Sequence, residues 1–211
     1  HRSGDVITNS TKWSAAQQLD SIEWDQRLIS TSTGTSGVPF REEFITDSQR
    51  TALGPDPVNK VKFLRGGNVA GLRSRSKKLG DIVNSAPVFE DAVVYCGAND
   101  GMLHAFHADS GQELFAHVPN LVFGNLQLLA DPGYKHKFYV DLTPSIKKGE
   151  GLLGGVGQKT LLVGGLGKGG KGYFSLDITG AKNISTEAEL SSRVLWEFPK
   201  STDPDMGYSF S

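Results

Sequence analysis

The stretch from Val93 to Gly111 reads VVYCGANDGMLHAFHADSG, and the stretch from Leu161 to Gly180 reads LLVGGLGKGGKGYFSLDITG. Each contains an apolar run, a glycine-containing reversal, a second apolar run and a closing turn. The Asp-Gly pair of the first copy favours a hairpin, because residues of these types accept positive φ at the centre of a tight turn. A fold that repeats one strand-turn-strand unit buries its core by stacking the copies, so the repeat predicts a mainly β architecture.

Composition limits the fold and its partners. The 211 residues suffice for one large β domain, and the 26 glycines indicate many tight turns. A net charge of -1 provides no general attraction for nucleic acid or an anionic membrane. The sequence has no apolar run of about 18 residues, so it predicts no membrane span. The single cysteine, Cys96, excludes an intramolecular disulfide and is predicted to be a small buried core residue.

Two similar groups of strands are predicted from residue 80 onward. The first group comprises Ala86–Phe89, Ala92–Gly97, Met102–His107 and Glu113–Val118. The second comprises Tyr139–Leu142 with Pro144–Ile146, then Thr160–Gly165, Tyr173–Asp177 and Val194–Phe198. Alignment of the groups matches Phe106 with Leu176, and Leu114-Phe115 with Leu195-Trp196. Two such sheets stacked radially are consecutive blades of a β-propeller.

The predicted fold class is therefore a partial β-propeller with about two four-stranded blades and the start of a third at Asp203–Tyr208. Residues 1–79 are predicted as a loosely structured lead-in, with helices at Ser14–Asp20, Ser48–Leu53 (capped by Asp47) and Pro57–Leu64, and a strand at Arg27–Ser32. Residues 80–211 form the blades, with a helical insertion at residues 120–138. Because two blades leave an open edge, we expect the propeller to continue beyond Ser211 and the isolated chain to associate or aggregate.

One glycine-rich segment has two interpretations. Gly165–Gly170 fits the dinucleotide pattern G-x-G-x-x-G, and Gly165–Lys171 fits the first part of a phosphate-binding loop. Both motifs bind phosphate at the start of a helix. Here Gly172 replaces the hydroxyl residue and Tyr173–Leu176 has a strand pattern, so a blade hairpin is favoured over a nucleotide site.

Other polar clusters also have a functional and an ordinary interpretation. His104, His107, His117 and His136 lie close together in the sequence, but we expect surface or rim histidines rather than a metal site. The acid-free basic segment 60–78 predicts a solvated loop, with an anionic partner surface as the alternative. Asp203 and Asp205 predict a turn rather than a calcium loop. We assign no catalytic, cofactor-binding or metal-binding residue.

Several segments share a more distinctive pattern. They are Leu79–Pro87 (LGDIVNSAP), Gly97–Phe106 (GANDGMLHAF), Ala130–Tyr134 (ADPGY), Val163–Gly170 (VGGLGKGG) and Asp203–Tyr208 (DPDMGY), with Gly37–Phe40 (GVPF) and Phe63–Gly66 (FLRG) before the blades. Together they resemble the PilY/PilC family of type IV pilus biogenesis factors and tip adhesins. The resemblance extends over roughly residues 27–211.

The resemblance implies a large secreted bacterial protein with a variable N-terminal adhesive region and a C-terminal quinoprotein-like propeller. It implies a place at the pilus tip on the bacterial outer surface, with minor pilins and other tip proteins as partners. The implied functions are pilus biogenesis, twitching motility, virulence, and adhesion to host or abiotic surfaces. On physical grounds, we expect the rigid stacked sheets to present loops, including the insertion at residues 120–138, to protein partners. No nucleic acid or nucleotide partner is implied.

The resemblance also implies features that this sequence lacks. The family propeller carries calcium on an Asp-rich loop, which is absent here, so calcium is expected only elsewhere in the full-length protein. Some members have an Arg-Gly-Asp tripeptide before the propeller, where Arg65-Gly66-Gly67 stands in this chain. Gly67 stands in the place of the Asp, so the carboxylate of that contact is missing.

Two other functions stay open. A quinoprotein-type dehydrogenase would need a cofactor pocket of cationic and carboxylate groups, which the sequence does not reveal. A non-catalytic outer-membrane assembly scaffold could use the same type of propeller. The pilus-specific segments favour a structural and interaction role without enzymatic activity.

Overall fold

The computed structural model describes residues 12–154, 156–203 and 205–208, and these form a six-stranded and a four-stranded β-sheet. The strands are β1 (Ile29–Ser32), β2 (Gly37–Pro39), β3 (Val88–Glu90), β4 (Val93–Gly97), β5 (Leu103–His107), β6 (Glu113–Val118), β7 (Ser145–Glu150), β8 (Gln158–Gly165), β9 (Gly172–Asp177) and β10 (Val194–Pro199). The helices are α1 (Ala15–Asp20), α2 (Asp47–Leu53), α3 (Pro57–Leu64), α4 (Phe123–Leu126) and α5 (Glu187–Ser192).

Strands β3 to β6 and strands β7 to β10 form the two antiparallel meanders that the sequence predicts. In the β4–β5 turn, Gly101 has a φ of +93°, which is accessible to glycine without a steric penalty. The closing turns also match, since Gly111 and Gly180 both adopt left-handed φ values of +72° and +63°. The repeated turn chemistry thus produces a repeated sheet.

A β-bulge at the same place in each sheet confirms the alignment of the two copies. In the first sheet Leu114 is the extra residue, between the Phe106–Glu113 and Ala105–Phe115 pairs. In the second sheet Leu195 is the extra residue, between the Leu176–Val194 and Ser175–Trp196 pairs. A bulge bends and twists its strand locally, so both blades have the same deformation in their fourth strand.

The lead-in is an integral part of the first sheet. Strand β1 pairs in parallel with β6 and antiparallel with β2, which extends the meander from four strands to six. The predicted strand and short helices are present, but the prediction of a loose structure is wrong. Ile29, Leu53 and Phe63 lie in the same hydrophobic core as the blades, because the lead-in covers apolar side chains that the first meander leaves exposed. The domain boundary between residues 79 and 80 stays a prediction.

The insertion between the blades is mostly a packing element. It consists of α4 with a 3-10 turn on either side, at Asn120–Val122 and Gln127–Ala130. Val122, Phe123, Leu126, Leu129 and Ala130 are buried, and Phe123 makes an edge-to-face contact with Phe40 at 6.0 Å between ring centroids. The expectation that the whole insertion presents loops to partners is therefore wrong for its helical half, since that half fills the core.

Two local predictions are also wrong, and one helix was not predicted. Tyr139–Leu142 is not a strand, because its backbone runs between the two glycine-rich turns and pairs with neither sheet. Helix α2 is capped by Thr46, whose hydroxyl accepts from the Gln49 N–H in a capping box, and not by Asp47. Helix α5, which the sequence did not predict, starts where the Thr186 hydroxyl accepts from the Glu189 N–H.

Close contact with the backbone of residues 139–141 explains two glycines, Gly97 at the end of β4 and Gly169 between β8 and β9. A Cβ on Gly97 would lie 2.3 Å from the Val140 carbonyl oxygen, and a Cβ on Gly169 would lie 1.9 Å from that of Tyr139. The Asn84 side chain and N–H donate to the Asp141 carboxylate at 2.6 and 3.1 Å and hold this segment in place. The glycines therefore admit a neighbouring backbone.

We expect Gly169→Ala to lower the free energy of unfolding by about 1–3 kcal/mol, because the added methyl collides with backbone that cannot move independently. Urea denaturation measures the change. Gly124→Ala is the matched control, since a Cβ on Gly124 has no atom within 4 Å and helix propensity favours alanine. Equal stability of the two variants would contradict this account of the turn.

Candidate functional site

A cluster of four charged side chains is buried where the lead-in enters the first sheet. Arg27, just before β1, donates through Nε and Nη2 to the two carboxylate oxygens of Glu113 on β6, at 2.7 and 2.8 Å. His104 on β5 has Nδ1 at 2.8 Å from Glu113 Oε1 and Nε2 at 3.1 Å from Asp100 Oδ2 in the β4–β5 turn. Strand pairing therefore brings together residues that are far apart in sequence.

The charges within this cluster balance. Burial alone would lower the pKa of His104, but Asp100 and Glu113 raise that pKa to about 9. Burial alone would raise the pKa of Glu113, but Arg27 and His104 lower that pKa to about 2. Burial alone would raise the pKa of the Asp100 carboxyl, but His104, the Gly80 N–H and Arg27 together lower that pKa. At neutral pH two cations thus oppose two carboxylates in a buried, hydrogen-bonded arrangement.

A second carboxylate ties the lead-in to helix α5, which leads into the last strand of the second sheet. Glu187 accepts from Arg65 Nη1 at 2.8 Å, from the Ile29 N–H at 3.2 Å and from Arg41 Nε. The two ionic groups are joined directly, because Arg27 and Arg65 each donate to the other's backbone carbonyl oxygen at 2.7 Å. One continuous set of contacts therefore connects the lead-in with both sheets.

A further histidine, His117, is also buried, but its pKa is lowered where that of His104 is raised. His117 on β6 lies opposite Ser30 on β1, with 2.9 Å between Nδ1 and the Ser30 hydroxyl, and its ring contacts that of Phe174 at 5.4 Å. Its Nε2 has no hydrogen-bond partner within the described part of the chain. Burial lowers the pKa of His117 to about 3, so it is neutral at physiological pH. Both Ser30 and His117 have no exposed surface, which leaves this Ser–His contact closed to a substrate.

The expectation of surface or rim histidines is therefore wrong for His104 and His117. Their positions on strands β5 and β6 face the lead-in and the second sheet, which the sequence pattern of a single blade does not reveal. His107 is partly buried, and His136 is exposed and lies 2.8 Å from the Asp81 carboxylate. Within residues 12–154, 156–203 and 205–208, no group of three or more His, Cys, Asp or Glu side chains could hold a metal ion.

The basic segment 60–78 is only partly solvated. Arg65 is buried, and Lys78 Nζ donates to the carbonyl oxygens of Asp20 and Ile22, so the solvated-loop prediction is wrong for these residues. Because the Arg65 side chain is buried, the Arg65-Gly66-Gly67 tripeptide cannot present its guanidinium to a receptor. Residues 73–78, named here the basic strap, border a cavity of about 340 Å³ next to Asp100.

Three other sequence motifs have structural roles. The segment Gly165–Lys171 connects β8 to β9 as a hairpin with a single 3-10 turn at Gly167–Gly169, in the position that Asn99-Asp100-Gly101 occupies between β4 and β5. Cys96 is buried, and burial raises the pKa of its thiol to about 12. Asp203 accepts from the Asp205 N–H at 2.9 Å in a turn. Residue 204, within the predicted start of a third blade, lies outside the described residues.

Comparison with known proteins agrees with this architecture. The family model of the PilY1 beta-propeller domain matches residues 82–210. The chain belongs to the PilY1 family. The type IV pilus biogenesis factor PilY1 of Pseudomonas aeruginosa strain PAO1 is 35% identical over 98% of this chain and 21% of its own length. A PilY1 homolog from Xylella fastidiosa is 35% identical over 87% of this chain and 17% of its own.

The PilY1 relatives also include a solved structure. The crystal structure of the Pseudomonas aeruginosa PilY1 C-terminal domain is 37% identical to this chain, with a TM-score of 0.37, over 56% of this chain and 20% of that one. The chain spans about a fifth of the length of the curated PilY1 relatives. Their name places the family in the type IV pilus system. Among the residues that the structure describes, no helix is both long and apolar enough to cross a membrane.

The sequence patterns did not reveal the ionic residues that matter most to the fold. Arg27, Glu113 and Glu187 have no motif around them, and the Arg27–Glu113 pair spans 86 positions. The available signal was a charged residue at the edge of a predicted strand, namely Arg27 at the first position of one and Glu113 at the first position of another. That signal gives no indication of which strands pair.

We expect Glu113→Gln to lower the free energy of unfolding by about 3–5 kcal/mol, because it leaves Arg27 buried without its carboxylate. Thermal and urea denaturation measure the loss. Glu150→Gln makes the same chemical change at an exposed position without an ion pair in the described chain, and we expect it to have little effect. Similar stability of both variants would show that the cluster contributes nothing to the free energy of unfolding.

We expect the stability to fall as the pH rises from about 6.5 to about 9. The raised pKa of His104 means that its contribution is fully present below pH 6.5 and is lost as the pH rises through about 9. Urea midpoints across this range measure the loss, and His104→Gln should flatten the profile. NMR titration of the wild-type His104 ring gives an independent check, and a midpoint near 6.5 would contradict the charged cluster.

Proposed function

We propose that this chain is a rigid, non-enzymatic part of the propeller of a type IV pilus biogenesis factor and acts in pilus assembly by binding other proteins. The observation that carries the proposal is the 35% identity to PilY1 of Pseudomonas aeruginosa over 98% of the chain. Because the chain spans about a fifth of that relative, the activity of the whole protein is part of the proposal.

The ionic contacts support a scaffold role. Arg27 and Glu113 join the lead-in to the first sheet, while Arg65 and Glu187 join it to the helix before β10. Separation of these elements would leave buried charges without partners, which is strongly unfavourable. A scaffold of this kind holds its surface loops in fixed relative positions, as protein-binding surfaces require.

The described side chains also support a role without catalysis. The Ser30–His117 contact and Cys96 are buried, and Asp100 and Glu113 are neutralised by His104 and Arg27 within the described chain. None of these groups combines access to solvent with an adjacent acid or base, which nucleophilic catalysis requires. A quinoprotein-type dehydrogenase remains the main alternative that an experiment has to separate from the scaffold.

The finer features of the proposal follow from the resemblance to the family. We place the complete protein at the pilus tip on the outer surface, with minor pilins as partners and with functions in twitching motility and attachment. Calcium belongs in this proposal to a part of the complete protein other than the present chain. The outer-membrane assembly scaffold is the second alternative.

Deletion of the gene is expected to remove surface pili and twitching in the bacterium that carries it, and the wild-type gene should restore both. Sheared pili and twitching zones measure the effect, and the gene carrying Glu150→Gln should restore them like the wild type. Unchanged piliation in the deletion strain would contradict the proposed function. Quinone absorbance in the purified complete protein, together with dye-linked substrate oxidation, would instead support the dehydrogenase.

A further inference from the structure

The basic strap, residues 73–78, concentrates positive charge in a chain with a net charge of -1. Its sequence is RSRSKK, and all six residues border the 340 Å³ cavity. Arg75 and the residues that follow it also border a second cavity of about 270 Å³ on the side of Gly66 and Asn68. Arg75, Lys77 and Lys78 therefore line both open cavities, whereas Arg73 lines the first.

Two guanidinium groups of the strap are held by aromatic rings. The Arg73 guanidinium carbon lies 3.5 Å from the ring centroid of Tyr134, and that of Arg75 lies 4.1 Å from the ring centroid of Phe63. Stacking on a ring restricts a guanidinium while its N–H donors, which lie in its own plane, remain available for a bidentate contact. This is a preorganised arrangement for binding an oxyanion.

Neither guanidinium is neutralised inside the described chain. Arg73 and Arg75 have no carboxylate within 4.0 Å in residues 12–154, 156–203 and 205–208, and Arg75 donates to the carbonyl oxygen of Phe63. Burial lowers the pKa of Arg75 to about 10, as expected for a cation that has lost water without gaining an acid partner. An anion in the cavity would relieve this unfavourable desolvation.

The carboxylates at the cavity wall are already engaged elsewhere. Asp100 accepts from His104 and from the Gly80 N–H at 2.8 Å, and Asp81 contacts His136 and the Asn99 side chain. Lys77 is the strap residue that does have an acid partner, since its Nζ lies 2.7 Å from Asp20 Oδ2. Arg73 and Arg75 are consequently the two cations available to a ligand.

From this geometry we propose that the basic strap binds the carboxylate groups of an acidic segment of a partner protein, with Arg73 and Arg75 as the two anchors. We favour a carboxylate over a phosphate because the proposed partner is a protein, whose anionic side chains are carboxylates that match the planar fork of a guanidinium. Phe63 and Tyr134 each carry a guanidinium on one face, so the cavity does not present the open stacking surface that nucleobases use. The inference rests on the proposed function in assigning a protein partner.

Direct binding to the complete protein tests the site. The probe is a fluorescein-labelled peptide, GGEEEEGG, and its affinity is measured by anisotropy at low and high salt. We expect Arg73→Gln with Arg75→Gln to weaken binding roughly tenfold or more, since each removes a charge-assisted contact. The control combines Lys147→Gln with Lys200→Gln, which removes two exposed charges without an ion pair in the described chain. We expect the control to bind like the wild type.

Three results of the binding assay would overturn the proposal. They are equal weakening in both double variants, equal affinity for the glutamine peptide GGQQQQGG, and displacement of the probe by pyrophosphate at lower concentration than by unlabelled GGEEEEGG.

A second measurement uses only the wild-type protein, so its result does not depend on whether the variants fold. Excess GGEEEEGG should protect Arg73 and Arg75 from phenylglyoxal, as mapped by mass spectrometry, and absence of protection contradicts the site. The piliation of the deletion strain does not depend on this result, so the two proposals can fail separately.

Discussion

The bidentate ion pair between Arg27 and Glu113 is the interaction on which the arrangement of this chain depends. It lies where the lead-in meets the first sheet, and neither partner has access to water. A buried pair of this kind adds little net stability compared with apolar residues, but its separation is strongly unfavourable. The pair therefore holds the lead-in against the first sheet, since moving the lead-in away would leave both Arg27 and Glu113 buried without a partner. The same logic extends through Arg65 to Glu187 and the second sheet.

The second constraint is steric and acts at the junction of the blades. The segment Tyr139–Asp141 runs between Gly97 at the end of β4 and Gly169 in the β8–β9 turn, at distances that exclude any side chain on either glycine. Asn84 and Asp141 then connect the starts of the two blades by hydrogen bonds. Charge specifies how the lead-in attaches, whereas close backbone contact specifies how one blade follows the next. A glycine-rich sequence that resembles a phosphate-binding loop therefore allows the two sheets to lie close together.

Four cations of the basic segment fall into two groups with different roles. Arg65 and Lys78 bond to groups of the protein itself and are part of its internal framework. Arg73 and Arg75 are stacked on aromatic rings beside open cavities, and no carboxylate of the described chain reaches them. Cations that look equivalent in the sequence therefore have different roles, because their surroundings in the fold differ. The proposed carboxylate site uses the second group alone.

The sequence by itself determined the blades, because strand alternation and turn chemistry act over short distances. The alignment of Phe106 with Leu176 was readable without coordinates, and the bulges at Leu114 and Leu195 bear it out. Only the tertiary structure decided that β1 joins β6, that His104 is charged while His117 is neutral, and which arginines keep open donors. Those outcomes depend on pairings between residues far apart in the chain, such as Arg27 with Glu113, and on the burial that these pairings create. Local patterns record which residues form a strand, but the charge state and partner of a side chain depend on what the fold places beside it.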